Sequence, residues 1–311
     1  MFHNRCSLPN SQPFVERVTR TLETYRAGYM KKFTVDFMYN KCYASQVDNW
    51  ISLAIRNKVE DLDLWLHLCS PIRPYKLPHH VHQAPSITNL SLQNCILGLN
   101  GAVAWKSLKS LSISTVDITE DAIEMILSAP YIQSHHILAL PMAEEINLGP
   151  YCIQMLSMRE MIGLQTPPMR WKILLLTAHL DEVDTPGIFR LLLNSLSIET
   201  LIVNRTCDGC SDLLLNSGVP AGGILCGISK VSVIVLSLLK TVKFTSYRGV
   251  RGLWLPTLEL ILYLLENAST LEKLNIVVSP GTDYRQDEET LLKLPRSSPH
   301  AEIIFRRQIV Y

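Results

Sequence analysis

A pair of cysteines is the first feature of the sequence that could do chemistry. Cys207 and Cys210 are separated by two residues, a spacing at which two thiolates can share a zinc ion or form a redox pair. A structural zinc site needs four ligands, and no second pair of cysteines or histidines follows at the spacing of a zinc finger. We therefore interpret the pair as part of a loop that follows a strand.

Three histidines, His79, His80 and His82, lie within four residues of one another. Three imidazoles can hold a metal ion, but no carboxylate stands next to them in the sequence to complete a site. We interpret this segment as a solvated loop.

Three acidic residues, Asp181, Glu182 and Asp184, could act as paired acids. They come just before Pro186, which is typical of the first turn of a helix, and negative charge at that position interacts favourably with the helix dipole. We expect solvated residues at a helix start. The signatures of Walker A loops, dinucleotide-binding loops, zincins and serine hydrolases are absent. The sequence therefore predicts no catalytic residue, no cofactor and no metal site, and we expect a protein that is not an enzyme.

Composition limits the class of protein further. The 311 residues are 47% hydrophobic and 18% charged, so the chain can bury a substantial core. The formal charge is +1, which gives no basic surface for nucleic acid. The N-terminus has no signal-peptide pattern, the most apolar window is too short to span a membrane, and the eight cysteines are sparse. We expect an intracellular protein of the cytoplasm or nucleus that binds neither nucleic acid nor membrane.

A short motif of two apolar residues around one central residue recurs along the chain, and its first residues are 21 to 41 positions apart. Most of these steps fit a repeat that contributes one strand and one return segment. The motifs are Leu62–Leu64, Leu90–Leu92, Leu111–Ile113, Leu138–Leu140, Leu174–Leu176, Leu201–Val203, Val242–Phe244, Leu274–Ile276 and Ile303–Phe305.

Segments between these motifs change to helical periodicity. Apolar residues four apart predict a helix through Phe14, Val18 and Leu22, and Ser45 with Asp48 resembles a capping box before a second helix. The remaining helix-forming residues are Val47, Trp50, Ile51, Ala54 and Ile55; Ile123, Ile126 and Leu127 after Thr119; Ile188, Leu191 and Leu192 after Pro186; and Leu258, Ile261, Leu262 and Leu265 after Pro256.

Strand residues that alternate with the apolar positions should point outward and form a continuous, mostly polar surface suited to binding a protein. We predict that this surface binds a partner and that Trp65, flanked by acids, is its anchor. The alternative is that Trp65 only covers the neighbouring strand. The predicted partner-binding residues are Asp61, Asp63, Trp65, Asn89, Ser91, Gln93, Ser112, Lys243 and Lys273.

Several segments resemble the plant F-box, FBD and leucine-rich-repeat proteins. Cys95 also occupies the Asn/Cys position of the leucine-rich-repeat pattern. The C-terminal segments resemble the FBD part of that family and the N-terminal segments resemble its early repeats. The C-terminal segments are Leu239–Gly249, Leu258–Ile276 and Leu294–Phe305. The N-terminal segments are Phe14–Arg17, Val47–Ile51, Leu62–Leu64 and Leu90–Cys95.

The resemblance implies an α/β fold: a leucine-rich-repeat solenoid in the form of a horseshoe arc, with mostly parallel strands and with helices on the outer side, ending in an FBD-type segment. We expect the repeats to occupy residues 1–235 and the FBD-type segment to continue the solenoid over residues 236–311. Residues 131–171 and 211–236 depart from the regular pattern.

The resemblance also implies a function, the capture of a target protein for a Skp-cullin-F-box ubiquitin ligase. The family's F-box, which binds the Skp-type adaptor, lies before the stretch that matches Phe14–Arg17, and only Met1–Pro13 precede it here. Thirteen residues cannot form a three-helix module, so we expect this chain to lack the F-box and not to bind the adaptor. The alternative functions are a free-standing interaction protein or non-delivering competitor and, third, an enzyme on a repeat scaffold.

Overall fold

The structure is a computed structural model. Parallel strands and the segments that return between them make up most of it. The chain divides into two compact units, Met1–Glu144 and Glu145–Tyr311, which are described in turn. The structure describes residues 2–4, 11–26, 28–68, 74–98, 105–114, 117–118, 143–161, 163, 168–181, 183–206, 236–247 and 255–308.

The first unit contains two parallel ladders of strands. The main ladder has the order β1-β2-β3-β5-β7, and a second ladder of short strands has the order β4-β6-β8. Its strands are β1 (Phe2–Asn4), β2 (Lys32–Tyr39), β3 (Asp61–Leu68), β4 (Tyr75–Lys76), β5 (Asn89–Gln93), β6 (Cys95–Leu97), β7 (Ser110–Ser114) and β8 (Asp117–Ile118). Its helices are α1 (Gln12–Glu23), a 3-10 turn (Lys41–Tyr43), α2 (Ala44–Arg56) and α3 (His79–His82).

Leucines hold the main ladder in register. Leu62 of β3 is paired with Leu90 of β5, which is paired in turn with Leu111 of β7. All three are buried, while the residues on either side of each are half-buried or exposed. Because alternate strand residues face opposite sides of a sheet, this register keeps every leucine on the core side and leaves the other side to polar residues.

Aromatic rings fill the core beneath β2. The ring of Phe37 stacks on Phe14 of α1 at a centroid distance of 5.3 Å and lies 5.9 Å from the ring of Trp50 in α2. The Trp50 indole is 2% exposed, and its Nε1 donates a hydrogen bond to Thr19 Oγ1 at 3.0 Å. The amphipathic faces predicted for α1 and α2 therefore pack against the same strand.

The second unit has one parallel ladder in the order β9-β10-β11-β12-β13-β14. Its strands are β9 (Glu145–Leu148), β10 (Ile173–Ala178), β11 (Thr200–Arg205), β12 (Thr241–Tyr247), β13 (Lys273–Val278) and β14 (Glu302–Arg307). Its helices are α4 (Pro150–Met161), α5 (Thr185–Asn194), α6 (Leu255–Asn267) and α7 (Arg285–Leu292).

Helices α4 and α5 are in close contact at Gly187. A Cβ atom at this position would lie 2.5 Å from the carbonyl oxygen of Ile153 and 2.7 Å from Ser157 Oγ. The Ser157 hydroxyl accepts a hydrogen bond from Gly187 N at 2.8 Å. Only a residue without a side chain fits here, which explains a glycine inside a helix where alanine has the higher propensity.

The predicted α/β fold with parallel strands is confirmed, because eight of the nine predicted motifs lie in parallel strands. The ninth, Leu138–Leu140, and the helix expected after Thr119 lie outside the described residues. Within the irregular stretch 131–171 the structure contains β9 and α4, and residues 211–235 are not described.

Three details of the prediction were wrong. Strands β1, β2, β4, β6, β8 and β9 were missed, although Phe33, Val35 and Phe37 alternate in β2 as a strand requires. The capping box does not form, because α2 begins at Ala44 and places Ser45 inside the helix, while Asp48 accepts a hydrogen bond from the Tyr75 hydroxyl. In α6 the buried face is Leu260, Ile261, Leu264 and Leu265, with Leu258 and Leu262 only half-buried.

Candidate functional site

The side chains of the first unit that point away from its core form one surface, which we call the Trp65 face. The strands β3, β5 and β7 position them, because the register of the ladder aligns each residue with its counterpart on the next strand. The Trp65 face consists of Asp61, Asp63, Trp65, Asn89, Ser91, Gln93, Ser110, Ser112 and Ser114.

Trp65 is the large apolar group of this surface. Its side chain is 39% exposed, and in the ladder it stands between Asp36 of β2 and Gln93 of β5. Its Nε1 donates a hydrogen bond to Ser91 Oγ at 3.3 Å, which fixes the orientation of the ring. An aromatic ring that is held in place and partly exposed among polar groups can bury apolar area against a partner at little cost in side-chain entropy.

Both acids beside Trp65 already have partners. Asp63 Oδ2 accepts hydrogen bonds from Lys32 Nζ at 2.7 Å and from Thr34 Oγ1 at 3.2 Å. Asp61 Oδ1 accepts one from Asn89 Nδ2 at 2.5 Å. Hydrogen bonding to Asp63 raises the pKa of Lys32. One of the two acids that flank Trp65 therefore carries its own cation, which was missed because β2 was missed.

A second polar pair adjoins the Trp65 face and was also missed. His67 Nε2 lies 2.8 Å from Asp36 Oδ1, and the Asp36 side chain is 1% exposed while that of His67 is 35% exposed. Asp36 alternates with the apolar residues of β2, so recognition of that strand would have placed it on the side of the sheet that carries Trp65, while its position next to Trp65 depends on the register between β2 and β3. The pair anchors one edge of the surface through a buried carboxylate.

The corresponding surface of the second unit, which we call the Lys243 face, has a different composition. Lys243 and Lys273 are exposed, as expected of binding residues, and Lys273 is paired in the ladder with Thr241 and Glu302. Half-buried aliphatic side chains lie on the same side of the sheet: Ile173, Leu175, Ile202, Val277 and Ile304. This unit is less polar on its outward side than the first, because the alternation in β10 places Ile173 and Leu175 outward.

The three histidines of α3 do not converge on a common point. His80 Nε2 lies 3.1 Å from Ser52 Oγ, and the ring of His82 packs edge-on against Trp105 at 5.7 Å. His82 is 1% exposed, and burial lowers its pKa to about 4. The interpretation as a solvated loop was wrong for His82, which is a neutral core residue.

The acids before α5 are likewise not a solvated cluster. Asp184 is 0% exposed, whereas Asp181 is half-buried. Together with His179 they form the group of three potential metal ligands that the described part of the chain brings together. Glu182 and the pair Cys207 and Cys210 lie outside the described residues.

No helix among the described residues is long and apolar enough to cross a membrane. Comparison with protein-family models finds two matches. The model described as At1g61320/AtMIF1, LRR domain, matches residues 22–146, and the FBD model matches residues 229–276. The first match includes the Trp65 face, and the second includes Lys243 and Lys273.

Curated relatives come from Arabidopsis thaliana. F-box protein At5g03100 is 27% identical over 113 residues, which cover 36% of each chain. F-box/LRR-repeat protein At3g03360 is 29% identical over 141 residues, covering 41% of this chain and 28% of that protein. The putative F-box/LRR-repeat protein At3g28410 is 26% identical over 118 residues, covering 37% and 25%. The matches thus span about a third or less of these relatives, and no solved structure matches the chain.

Proposed function

We propose that the chain, which matches an LRR-domain model and the FBD model and is similar to F-box/LRR-repeat proteins of Arabidopsis thaliana, is a non-catalytic module that binds a target protein on the outward side of its strands. The observation that carries this proposal is the half-exposed Trp65, held among polar side chains on a rigid parallel ladder. Parallel ladders of repeats offer broad, fixed surfaces, and buried aromatic anchors dominate the affinity of protein interfaces.

The polar groups around Trp65 suit the rim of such an interface. Asn89, Ser91 and Gln93 offer neutral donors and acceptors, and the charge of Asp63 is balanced by Lys32. A partner can therefore cover Asp63 and Lys32 without leaving either charge unpaired, which would be costly. Ser112 adds a small polar group on the neighbouring strand, so a partner can approach the sheet closely there.

Lys243 and Lys273 give the second unit a different part in binding. Exposed lysines at the rim mainly change the rate of association and its dependence on salt, and they select partners with acidic segments. The aliphatic residues Leu175 and Ile202 beside them supply apolar area. We propose that the Lys243 face contacts an apolar segment of the target that also carries acidic residues.

The finer form of the proposal is a substrate receptor of a Skp-cullin-F-box ubiquitin ligase. A pull-down with purified Skp-type adaptor separates this role from that of a non-delivering competitor. Tight stoichiometric binding by the 311-residue chain would support the receptor, whereas no binding would support the competitor.

Target binding itself is tested by comparative capture from plant cell extract. The wild-type chain, the double variant Trp65→Ala/Gln93→Ala and the control Leu196→Ala would be immobilised, and bound proteins quantified by mass spectrometry. Leu196 is 49% exposed but lies in no strand, so it matches the loss of an exposed apolar group.

We expect at least one protein that both the wild type and the control retain and that the double variant loses. Direct binding of that protein, once purified, should show the same order of affinities. Equal capture by all three chains, each folded by circular dichroism, would contradict the proposal.

A further inference from the structure

The loop between β10 and α5 brings a histidine and two aspartates together. One potential ligand atom from each of His179, Asp181 and Asp184 lies within 4.8 Å of those of the other two. His179 Nδ1 lies 3.8 Å from Asp184 Oδ2. This group plays no part in the proposed binding of a target, so the two proposals can fail independently.

Backbone hydrogen bonds fix both carboxylates in this loop. Asp181 Oδ1 accepts from the amides of Val183 and Asp184, both at 3.0 Å. Asp184 Oδ2 accepts from the amides of His179 at 2.7 Å and Leu180 at 3.1 Å. The potential ligands are therefore held in place before any ion arrives, which reduces the entropy cost of binding one.

The carboxyl group of Asp184 is the independent sign that a cation is needed. The residue is 0% exposed, and within the described part of the chain its Oδ1 has no hydrogen-bond partner, whereas its Oδ2 accepts the two loop amides. A buried carboxylate is costly unless it is paired with a charge or coordinates a metal.

We propose that His179, Asp181 and Asp184 form a binding site for a divalent transition metal, with zinc as its ion. An imidazole ligand disfavours magnesium and calcium, which prefer oxygen ligands alone, and zinc accepts both imidazole and carboxylate. Two bonds of about 2.0 Å at a tetrahedral angle place their ligand atoms about 3.3 Å apart. The 3.8 Å between His179 Nδ1 and Asp184 Oδ2 is near that value.

The site would hold the end of β10 against the start of α5. Three protein ligands leave one position of a four-coordinate zinc ion for water or for a further side chain. Binding would favour the ionised form of Asp184 and would stabilise the folded loop, because the unfolded chain does not hold the three ligands together.

The experiment titrates the metal-free full chain with zinc and cobalt ions. Isothermal calorimetry measures stoichiometry and affinity, thermal unfolding measures stabilisation, and the visible absorption of cobalt reports the ligand environment. The variants are His179→Ala, Asp181→Asn and Asp184→Asn. An asparagine keeps an oxygen that can accept the loop amides, so the two asparagine variants should fold even if the alanine variant does not.

We expect one metal ion per chain and a binding constant at least about ten-fold weaker in each variant. Cys207→Ser and His79→Ala are the controls, because they remove a ligand from the other two candidate groups, and neither should change binding. The proposal is overturned if the wild type binds no metal, if the asparagine variants bind as tightly, or if Cys207→Ser abolishes binding.

Discussion

The turn after β5 in the first unit and the turn after β10 in the second put different residues into the same unusual backbone conformation. Asn94 has φ 55° and Leu180 has φ 60°, both in the left-handed region. Asparagine tolerates this region well, whereas a leucine is strained there by about 1 kcal/mol. The backbone at Asn94 is therefore nearly free of strain, whereas other interactions must stabilise the strained conformation of Leu180.

The segments after these two turns also differ. Asn94 leads directly into β6, where Cys95 is buried, donates from Sγ to the Gln93 carbonyl and has its pKa raised to about 12 by burial. Leu180 leads into the loop in which Asp181 and Asp184 accept backbone amides. The leucine ladder is common to both units, so the returns between strands carry the chemistry that distinguishes them.

The largest effect should come from the aromatic core of the first unit. Trp50→Ala removes a buried ring that contacts Phe37 and should lower the free energy of unfolding by about 3 to 5 kcal/mol. Urea denaturation measures this change. Trp65→Ala is the matched control, because it deletes the same side chain from a half-exposed position and should cost much less. Equal losses of unfolding free energy in the two variants would contradict the assignment of Trp50 to the core and Trp65 to the surface of this unit.

The next effect tests the helix contact of the second unit. Gly187→Ala would normally stabilise a helix, but here the added methyl group meets Ile153 and Ser157. We expect a loss of about 1 to 3 kcal/mol in the free energy of unfolding, measured by thermal unfolding. Gly163→Ala is a control without a steric clash, although its φ of 76° introduces strain of its own. An unchanged or higher stability for Gly187→Ala would show that α4 and α5 are far enough apart at this position to accommodate a methyl group.

Acid should distinguish the buried titratable groups of the two units. The pKa of His82 is lowered from 6.5 to about 4, so the unfolded chain binds more protons between these values and stability falls as the pH falls from 6.5 to 4. The pKa of Asp184 is raised from 3.8 to about 7, so its contribution has the opposite sign and is lost as the pH rises through that range.

His82→Leu should therefore lose less stability than the wild type when the pH is lowered from 6.5 to 4.5. Neither nitrogen of His82 has a hydrogen-bond partner among the residues that the structure describes, so leucine should also be tolerated at pH 7. Urea denaturation at several pH values measures both effects. His300→Leu, on an exposed residue, should keep the wild-type slope. A His82→Leu slope that matches the wild type would contradict the assigned burial.

The smallest effect concerns the ion pair beside Trp65. Lys32→Met breaks the 2.7 Å contact with Asp63 but keeps the aliphatic part of the side chain. Pairs this exposed contribute at most about 1 kcal/mol, so the midpoint of urea unfolding should shift only slightly. Asp63→Asn should behave in the same way. A large loss in either variant would show that the pair is structural rather than part of a rim.

The sequence was sufficient to predict the strands of the ladder, but not the polar contacts and the buried acid that lie beside them. Leu62, Leu90 and Leu111 identify strands because they repeat and alternate, and the same alternation correctly placed Trp65 outward. The Lys32–Asp63 pair depends on the register between two strands, which local periodicity does not contain. The segment around Asp184 is polar in sequence, and Asp184 is buried only because α4 and α5 pack over it. Sequence periodicity does not show this packing.

The most direct test of the account is the effect of Trp65→Ala on both target affinity and thermal stability. With a purified target, we predict an affinity loss corresponding to about 2 kcal/mol or more, together with a melting temperature close to that of the wild type. That result would identify Trp65 as the anchor of the binding surface. Unchanged affinity together with a lower melting temperature would instead show that Trp65 covers its neighbouring strand, and would contradict the assignment of the Trp65 face as the recognition surface.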